Sequence, residues 1–455
     1  MILRKILKVL LWSVGSLIAI IVLFLAISLV PIDRTSVLQS EAQQRMKDRL
    51  DSLKVSIHHS SQGYSVGFGK ENITPAKPVA LAGYGSRRGK SYTSVRDSIY
   101  VRTIVIQNGD QRYAIVSADL LIIPPTVVEI LEKKLPDIGF SINNTYLGAV
   151  HTHNSIGNWG EGVTGFMFGF YQDTVVQFIA DKIIRCIDKA SHQLLPATLQ
   201  TAAIPIDAPV RNRLTNNNPV DSLFRVIEVQ RSDSSKLLFM SYTAHATCLF
   251  SRDLSLSRDY PGKLVDQMEA SGYTFAMFMA GAVGSHGCNP PEFGEPCIDW
   301  MTEQIQTKFN EEKFRLHPVH DSVLTMIRVP LELPKAQAKV LENVAMRPWL
   351  FKSAFGEYPV YLTALRIGDV VLLGTPCDFS GELSPPIDSL AESLHVHSMI
   401  TSFNGGYIGY VTPGKYYDFK HYETQLMNWY GVGSGEYISE SMEYLLRTIS
   451  DKQSR

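Results

Sequence analysis

From Val9 to Ile32 the chain carries no charged side chain, and Leu, Ile, Val and Ala dominate. At a rise of about 1.5 Å per helical residue, such a run crosses a hydrocarbon core of roughly 30 Å. A helix inside a soluble protein normally keeps a polar face, and this run has none. Arg4, Lys5 and Lys8 precede it and Asp33 ends it. Basic flanks stay in the cytoplasm, so the run predicts a single-pass anchor with everything after Asp33 on the extracytoplasmic side. It is longer than a typical signal-peptide core, although Ala26-Ile27-Ser28 offers a weak cleavage site.

The organisation that follows is a cytoplasmic basic flank at 1–8, a transmembrane anchor at 9–32 and a polar stalk at 33–60. The stalk reads as helical, with Glu41, Arg45, Lys47, Asp48, Arg49 and Asp51 around Met46, Leu50 and Leu53. At Tyr64 the pattern changes to Gly, Pro and short β-rich runs, and no linker or repeat interrupts it afterwards. Residues 61–455 are therefore expected to form one catalytic domain. A formal net charge of -1 supplies no basic excess, which argues against nucleic acid as a partner.

Strand and helix patterns alternate through that domain. Val101–Ile106 and Tyr113–Ser117 read as paired strands across Asn108-Gly109-Asp110, a strong hairpin signal. Helices are expected from Pro125 to about Lys134 and from Asp173 to about Lys189. Further strands are expected at 146–150, 237–242, 275–279, 370–373 and 399–403. The fold class is α/β, with mixed α+β layers in a single catalytic domain behind one transmembrane helix.

Polar residues collect just after these strands, where loops of layered α/β folds meet to form sites. His151-Thr152-His153 follows one strand, His245 another, Gly281–Gly287 a third, and Asp378 and Tyr410 two more. Strand geometry alternates successive side chains, so His151 and His153 are expected to point the same way, into one pocket, with Thr152 opposite. Imidazoles with a carboxylate suit a catalytic zinc ion; two histidines hydrogen-bonded in a loop is the plain alternative. Asp378, followed by Phe379-Ser380-Gly381-Glu382, also suits a helix N-cap.

Three ordered segments carry a resemblance. They are Val66-Gly67-Phe68-Gly69-Lys70-Glu71-Asn72-Ile73-Thr74-Pro75 with Ala82-Gly83-Tyr84-Gly85, then Ala149-Val150-His151-Thr152-His153-Asn154, then Asn404-Gly405-Gly406-Tyr407-Ile408-Gly409-Tyr410-Val411-Thr412-Pro413. From about residue 64 to 430 the chain resembles the neutral/alkaline (non-lysosomal) ceramidase family. The resemblance implies a Zn2+-dependent amidase that cleaves the bond between a fatty acyl chain and a sphingoid base. It implies His151, His245, Asp378 and Tyr410 as zinc ligands, with aspartate standing where the family has glutamate. It implies His153, Arg213 and Tyr422 as the groups that stabilise the intermediate and position substrate. No C-terminal immunoglobulin-like domain, a feature of well-known members, is expected after the Tyr422 segment.

One position departs from the pattern. Where the family carries a serine once assigned as nucleophile, this chain has Gly287, within Gly284-Ser285-His286-Gly287-Cys288. A serine mechanism does not transfer, and the mechanism expected is attack by metal-activated water. Ser285 beside His286 reads as a rearranged loop. Residues 157–171, rich in Gly and aromatics, read as a lipid-facing rim or as packing before the Asp173 helix.

The function expected is a membrane-anchored zinc amidase acting on an N-acyl (sphingo)lipid, giving fatty acid and amine. The alternatives are a metal hydrolase of another cell-envelope amide and a non-catalytic binding homologue. The five cysteines, Cys186, Cys248, Cys288, Cys297 and Cys377, form neither a disulfide framework nor a zinc finger. Cys288 and Cys297 would pair in an oxidising compartment or remain buried thiols.

Overall fold

The computed structural model describes residues 2–57, 60–215 and 219–451. Eight long strands build the larger sheet: β1 (Tyr64–Asn72), β2 (Tyr100–Asn108), β3 (Gln111–Ala118), β4 (Thr145–Ala149), β5 (Leu195–Pro205), β6 (Leu223–Arg231), β7 (Lys236–Tyr242) and β8 (Phe275–Ala280). Their order is β8-β7-β6-β5-β1-β2-β3-β4, with His317–Pro318 added against β5. The two outer pairs, β7 with β8 and β3 with β4, are parallel, and the pairs between them are antiparallel. The smaller sheet is β9 (Leu324–Pro330), β10 (Tyr361–Ile367), β11 (Val370–Gly374) and β12 (His397–Thr401), in that order.

Side-chain alternation along the strands explains the layers. In β2, Ile104 and Ile106 face the smaller sheet, while Val101 and Val105 face helices. In β11, Val370 and Leu372 join the same inter-sheet core, and Val371 and Leu373 point the other way. The result is an αββα sandwich. Helices α1 (Ile2–Ser28) and α2 (Glu41–Asp51) open the chain. Helices α3 (Pro125–Lys134), α4 (Gly162–Phe168), α5 (Asp173–Ser191), α6 (Asp259–Ala270) and α7 (Glu295–Glu311) belong to the half that carries the larger sheet. The outer face of the smaller sheet carries α9 (Ser384–Ser393) and α10 (Ser434–Ser450), and α8 (Pro348–Phe355) lies apart beside α4.

The hairpin read at Asn108-Gly109-Asp110 forms in register, with Asn108 opposite Gln111 and Gly109 at φ +57°. Gly148 in β4 faces Met279 in β8; a Cβ there would sit 2.6 Å from the Met279 sulfur. The missing side chain lets the two edge strands of the larger sheet approach, and Ser117 also donates to the Phe278 carbonyl. Tyr146 in β4 and Thr401 in β12 share a 2.6 Å hydrogen bond across the two sheets. The carboxyl ends of β4, β7, β8, β11 and β12 are thereby gathered at one end of the sandwich.

The stalk expected at 33–60 is, over its helical part, packed against the domain rather than free-standing. Its helix, α2, buries Ala42, Met46 and Leu50, and the latter two join Val37 in the core shared with α10. The polar composition describes only the outward face of an amphipathic helix, a pattern the spacing of Met46, Leu50 and Leu53 already carries. Among the described residues one helix, α1, is long and apolar enough to cross a membrane.

Candidate functional site

The loop after β4 turns sharply at His151, whose φ is +64°. Both histidines stand past the strand, so strand alternation is not what brings them together. The left-handed turn at His151 does so, and such a conformation is costly for a residue with a Cβ. His151 Nδ1 lies 2.6 Å from the Leu121 carbonyl and donates to it, which leaves Nε2 free. The ring stacks on Phe403 with centroids 3.9 Å apart.

The Nε2 atoms of His151, His153 and His245 form a triangle with sides of 2.9, 2.9 and 3.3 Å. Burial drives His151 down to about 3 and holds His153 and His245 well below the ordinary imidazole range. Three neutral rings thus point lone pairs at one spot. His245 Nδ1 stands between the Val283 carbonyl at 3.4 Å, which can accept its proton, and Arg213 Nη2 at 3.3 Å, which donates to the Gly284 carbonyl at 3.0 Å. With its proton on Nδ1 toward Val283, His245 presents a free Nε2.

Asp378 lies beside the His151 corner of the triangle. The short strand Asp378–Phe379 pairs with Tyr410–Val411, placing Asp378 beside Tyr410. Asp378 Oδ2 accepts from the Tyr407 hydroxyl at 2.7 Å; Oδ1 is buried, accepts no hydrogen bond and stands 3.4 Å from His151 Nε2. Burial pushes this carboxyl up to about 7, opposed by the Tyr407 hydrogen bond and by Arg213. Asp378 is not a helix N-cap: the helical turn that follows begins after Ser380, and the Asp378 side chain turns inward.

A buried acceptor without a donor, 3.4 Å from the nearest of the three imidazole nitrogens, is costly unless positive charge sits beside it. Nitrogens at about 2.0–2.1 Å around a tetrahedral zinc ion would be about 3.3 Å apart, close to the spacing found here. The donor set fits a divalent metal ion. His153 is placed as near the centre as His151 and His245, so distance alone does not set it apart from the two histidines expected as ligands.

Arg213 Nη1 pairs with Glu423 at 3.3 Å, and its backbone N–H donates to the Ser285 carbonyl. Tyr422 stands edge-on to Tyr410, with ring centroids 5.6 Å apart, and is half exposed. All seven residues singled out in the sequence therefore lie in one cluster or on its rim. Tyr407, Glu423 and Phe403 were missed as functional groups. Tyr407 lies inside the quoted Asn404–Pro413 segment and Glu423 adjoins Tyr422; no local pattern marks Phe403.

Residues 64–273 match the family model described as "Neutral/alkaline non-lysosomal ceramidase, N-terminal". The resemblance to the neutral/alkaline ceramidases is borne out. Neutral ceramidase from Pseudomonas aeruginosa has the same fold, with 19% identity over 85% of this chain and 74% of that chain, at a TM-score of 0.75. A ceramidase complexed with C2 aligns at 18% identity over 85% of this chain and 75% of that one, at a TM-score of 0.73. No match is found among curated proteins.

At the position where the ceramidase resemblance expects serine, Gly287 pairs opposite Arg211, and the Arg213 stem covers it. A Cβ at Gly287 would meet Arg213 Cδ at 2.9 Å. Ser285 does not replace the missing hydroxyl. His286 Nε2 accepts from the Asp221 backbone N–H at 3.1 Å, so its proton is on Nδ1, which faces Ser285 Oγ at 3.0 Å. An imidazole that donates to the serine cannot take a proton from it.

An apolar cavity of ≈ 250 Å³ opens from the cluster; Leu121, Ile122, Trp159, Phe168, Met427 and Trp429 are among its walls, and His151 and His153 stand at its floor. The 157–171 segment forms one side of it, through Trp159 and α4. Cys248 and Cys297 form a disulfide, and Cys288 is a buried free thiol. Of the two alternatives for Cys288 and Cys297, the buried thiol holds for Cys288, which points at the His245 carbonyl 3.1 Å away, while Cys297 pairs with Cys248 instead.

Proposed function

We propose that this chain is a membrane-anchored, zinc-dependent amide hydrolase that cleaves an N-acyl sphingolipid or related N-acyl lipid into fatty acid and amine. The observation that carries this reading is the triangle of imidazole nitrogens at the floor of an apolar cavity, with the unpartnered Asp378 oxygen 3.4 Å from its His151 corner. His151, His245, Asp378 and Tyr410 would hold the ion, with His153 within reach of it. A bound zinc ion supplies Lewis acidity, polarising a carbonyl and lowering the pKa of water to about 7.

The chain's own groups supply the rest. The walls of the cavity bury an acyl chain and keep bulk water from the amide. Arg213, fixed by Glu423 and the Gly284 carbonyl, sets a positive charge beside the cluster, where negative charge develops on the amide oxygen. His153 adds a nitrogen on the same side, and Tyr422 closes the rim. Hydrolysis consumes one water and releases a carboxylic acid and an amine, with the proton passing to the leaving nitrogen.

The anchor is α1, with the catalytic domain on the extracytoplasmic side. The basic residues Arg4, Lys5 and Lys8 and the Cys248–Cys297 disulfide support that orientation, since disulfides persist in oxidising compartments. Residues 61–455 are proposed as the catalytic unit. Release of free amine should be measured with purified full-length protein on N-acyl sphingolipids, N-acyl amino acids and N-acetyl amino sugars in detergent micelles. Release confined to lipid substrates is expected; turnover of the amino sugars alone would overturn the substrate class.

A further inference from the structure

The anchor helix does not end in a tether. Directly after Ser28, Leu29–Pro31 pairs antiparallel with Val344–Met346, which pairs in turn with Lys339–Leu341. The Arg347 backbone N–H donates to the Ser28 carbonyl at 2.8 Å, and Trp349 Nε1 donates to the Ile27 carbonyl at 2.9 Å. The last turn of α1 is thus hydrogen-bonded to the first turn of α8. Met346 and Phe355, which bracket that contact, are also walls of the apolar cavity.

The cavity rim continues from there along α4, where the exposed Glu161 is followed by apolar side chains. Gly162 at the start of α4 lies under the end of α8, where a Cβ would be 2.7 Å from the Ala354 carbonyl. Val163, Phe166 and Phe170 on and after α4, and Leu426 across the mouth, are between 42% and 71% exposed. Trp349, 46% exposed, sits at the helix end, the depth at which tryptophans concentrate in membrane proteins. Aromatic and aliphatic side chains this exposed around one opening mark an interaction surface.

We infer that the cavity mouth rests on the lipid surface itself: α1 spans the bilayer, the Leu29–Pro31 pairing fixes its exit, and α4, α8 and Leu426 dip into the boundary. The occupant of this apolar rim is the membrane, because the helix that spans it is hydrogen-bonded to the same rim. An N-acyl lipid then enters sideways, its acyl chain passing from bilayer to cavity without crossing water. This rests on the reading of α1 as a membrane span.

The test places single cysteines in the full chain at Phe166, Phe170, Ile18 and Phe314, labels them with an environment-sensitive fluorophore, and reconstitutes each protein in phosphatidylcholine vesicles. The native free thiols Cys186, Cys288 and Cys377 are buried and do not compete for label. Phe314 is the reference for water: the nearby His317 contacts His397, the first residue of β12, at the end of that strand opposite the site. Nitroxide-bearing lipids should quench the labels at 18, 166 and 170 and spare the one at 314, the rim residues lying about 5–10 Å into the boundary. Quenching at 18 with 166 and 170 as bright as 314 would overturn the inference and leave the anchor standing. No quenching at 18 would overturn the anchor reading and this inference with it. Neither outcome depends on turnover.

Discussion

The Nε2 atoms of His151 and His245 stand 2.9 Å apart, although 94 positions separate the two residues in the chain. Neutral imidazoles that close, with lone pairs converging, repel one another unless something positive lies between them. The buried Asp378 oxygen beside them makes the same demand from the carboxylate side. Histidine, aspartate and the Arg213–Glu423 pair thus describe one electrostatic unit.

Glu423→Gln should weaken catalysis without unfolding the chain. It removes the partner of a guanidinium that is mostly buried, and hydrogen bonds to charged groups contribute about 1.5–3 kcal/mol. A fall in kcat of about tenfold or more, with KM changed less, is expected from steady-state kinetics. Equal kcat values for variant and parent would detach Arg213 from the reaction.

Gly287→Ser should not restore a nucleophile. The new Cβ would displace the Arg213 stem, which lies 2.9 Å from where it would be. Turnover should fall, and no covalent acyl-enzyme should accumulate in mass spectra of protein quenched during the reaction. A rise in turnover would show that serine chemistry is available here.

Acid should destabilise the fold partly through His286. Burial lowers its pKa to about 4, so its contribution is fully present above the unfolded value of about 6.5 and is lost as pH falls through about 4. Asp119 and Asp259, pushed up to about 6 by burial, act in the opposite sense: their contribution is present below about 4 and lost as pH rises through 6. Comparing denaturant unfolding of parent and His286→Asn isolates the histidine. The variant should lose on the order of 3 kcal/mol less between pH 7 and pH 4. Parallel curves would place His286 outside the acid transition.

Cys297→Ser should transfer the disulfide rather than abolish it. Cys288 Sγ lies 3.8 Å from Cys248 Sγ, so the freed Cys248 has a second partner at hand. Peptide mapping should find Cys248 joined to Cys288. Thermal unfolding should show a larger loss for the Cys288→Ser/Cys297→Ser double variant, which leaves Cys248 without a nearby thiol, consistent with the 2–4 kcal/mol that a disulfide typically contributes.

Much of this was legible from residue order. Two-residue periodicity and the Asn108-Gly109-Asp110 turn gave the β2–β3 hairpin, and strand-end placement of His151, His245, Asp378 and Tyr410 brought them into one cluster. What residue order could not show depends on distances across the fold. The left-handed turn at His151 needs the Leu120 and Leu121 carbonyls to hold it, and these come from the loop after β3. The choice of Cys248 over Cys288 as partner for Cys297 depends on how the loop after His245 packs on α7. Polar composition hid the packing of α2 on α10, because Met46 and Leu50 form a narrow stripe among charges.

Metal content measured together with turnover tests the central claim most directly. Full-length protein, purified without chelator, should contain one zinc ion per chain by elemental mass spectrometry. His151→Ala should contain none and release no fatty acid. A parent protein that hydrolyses N-acyl lipid after its metal has been stripped, or a His151→Ala variant that keeps both ion and activity, would contradict the account.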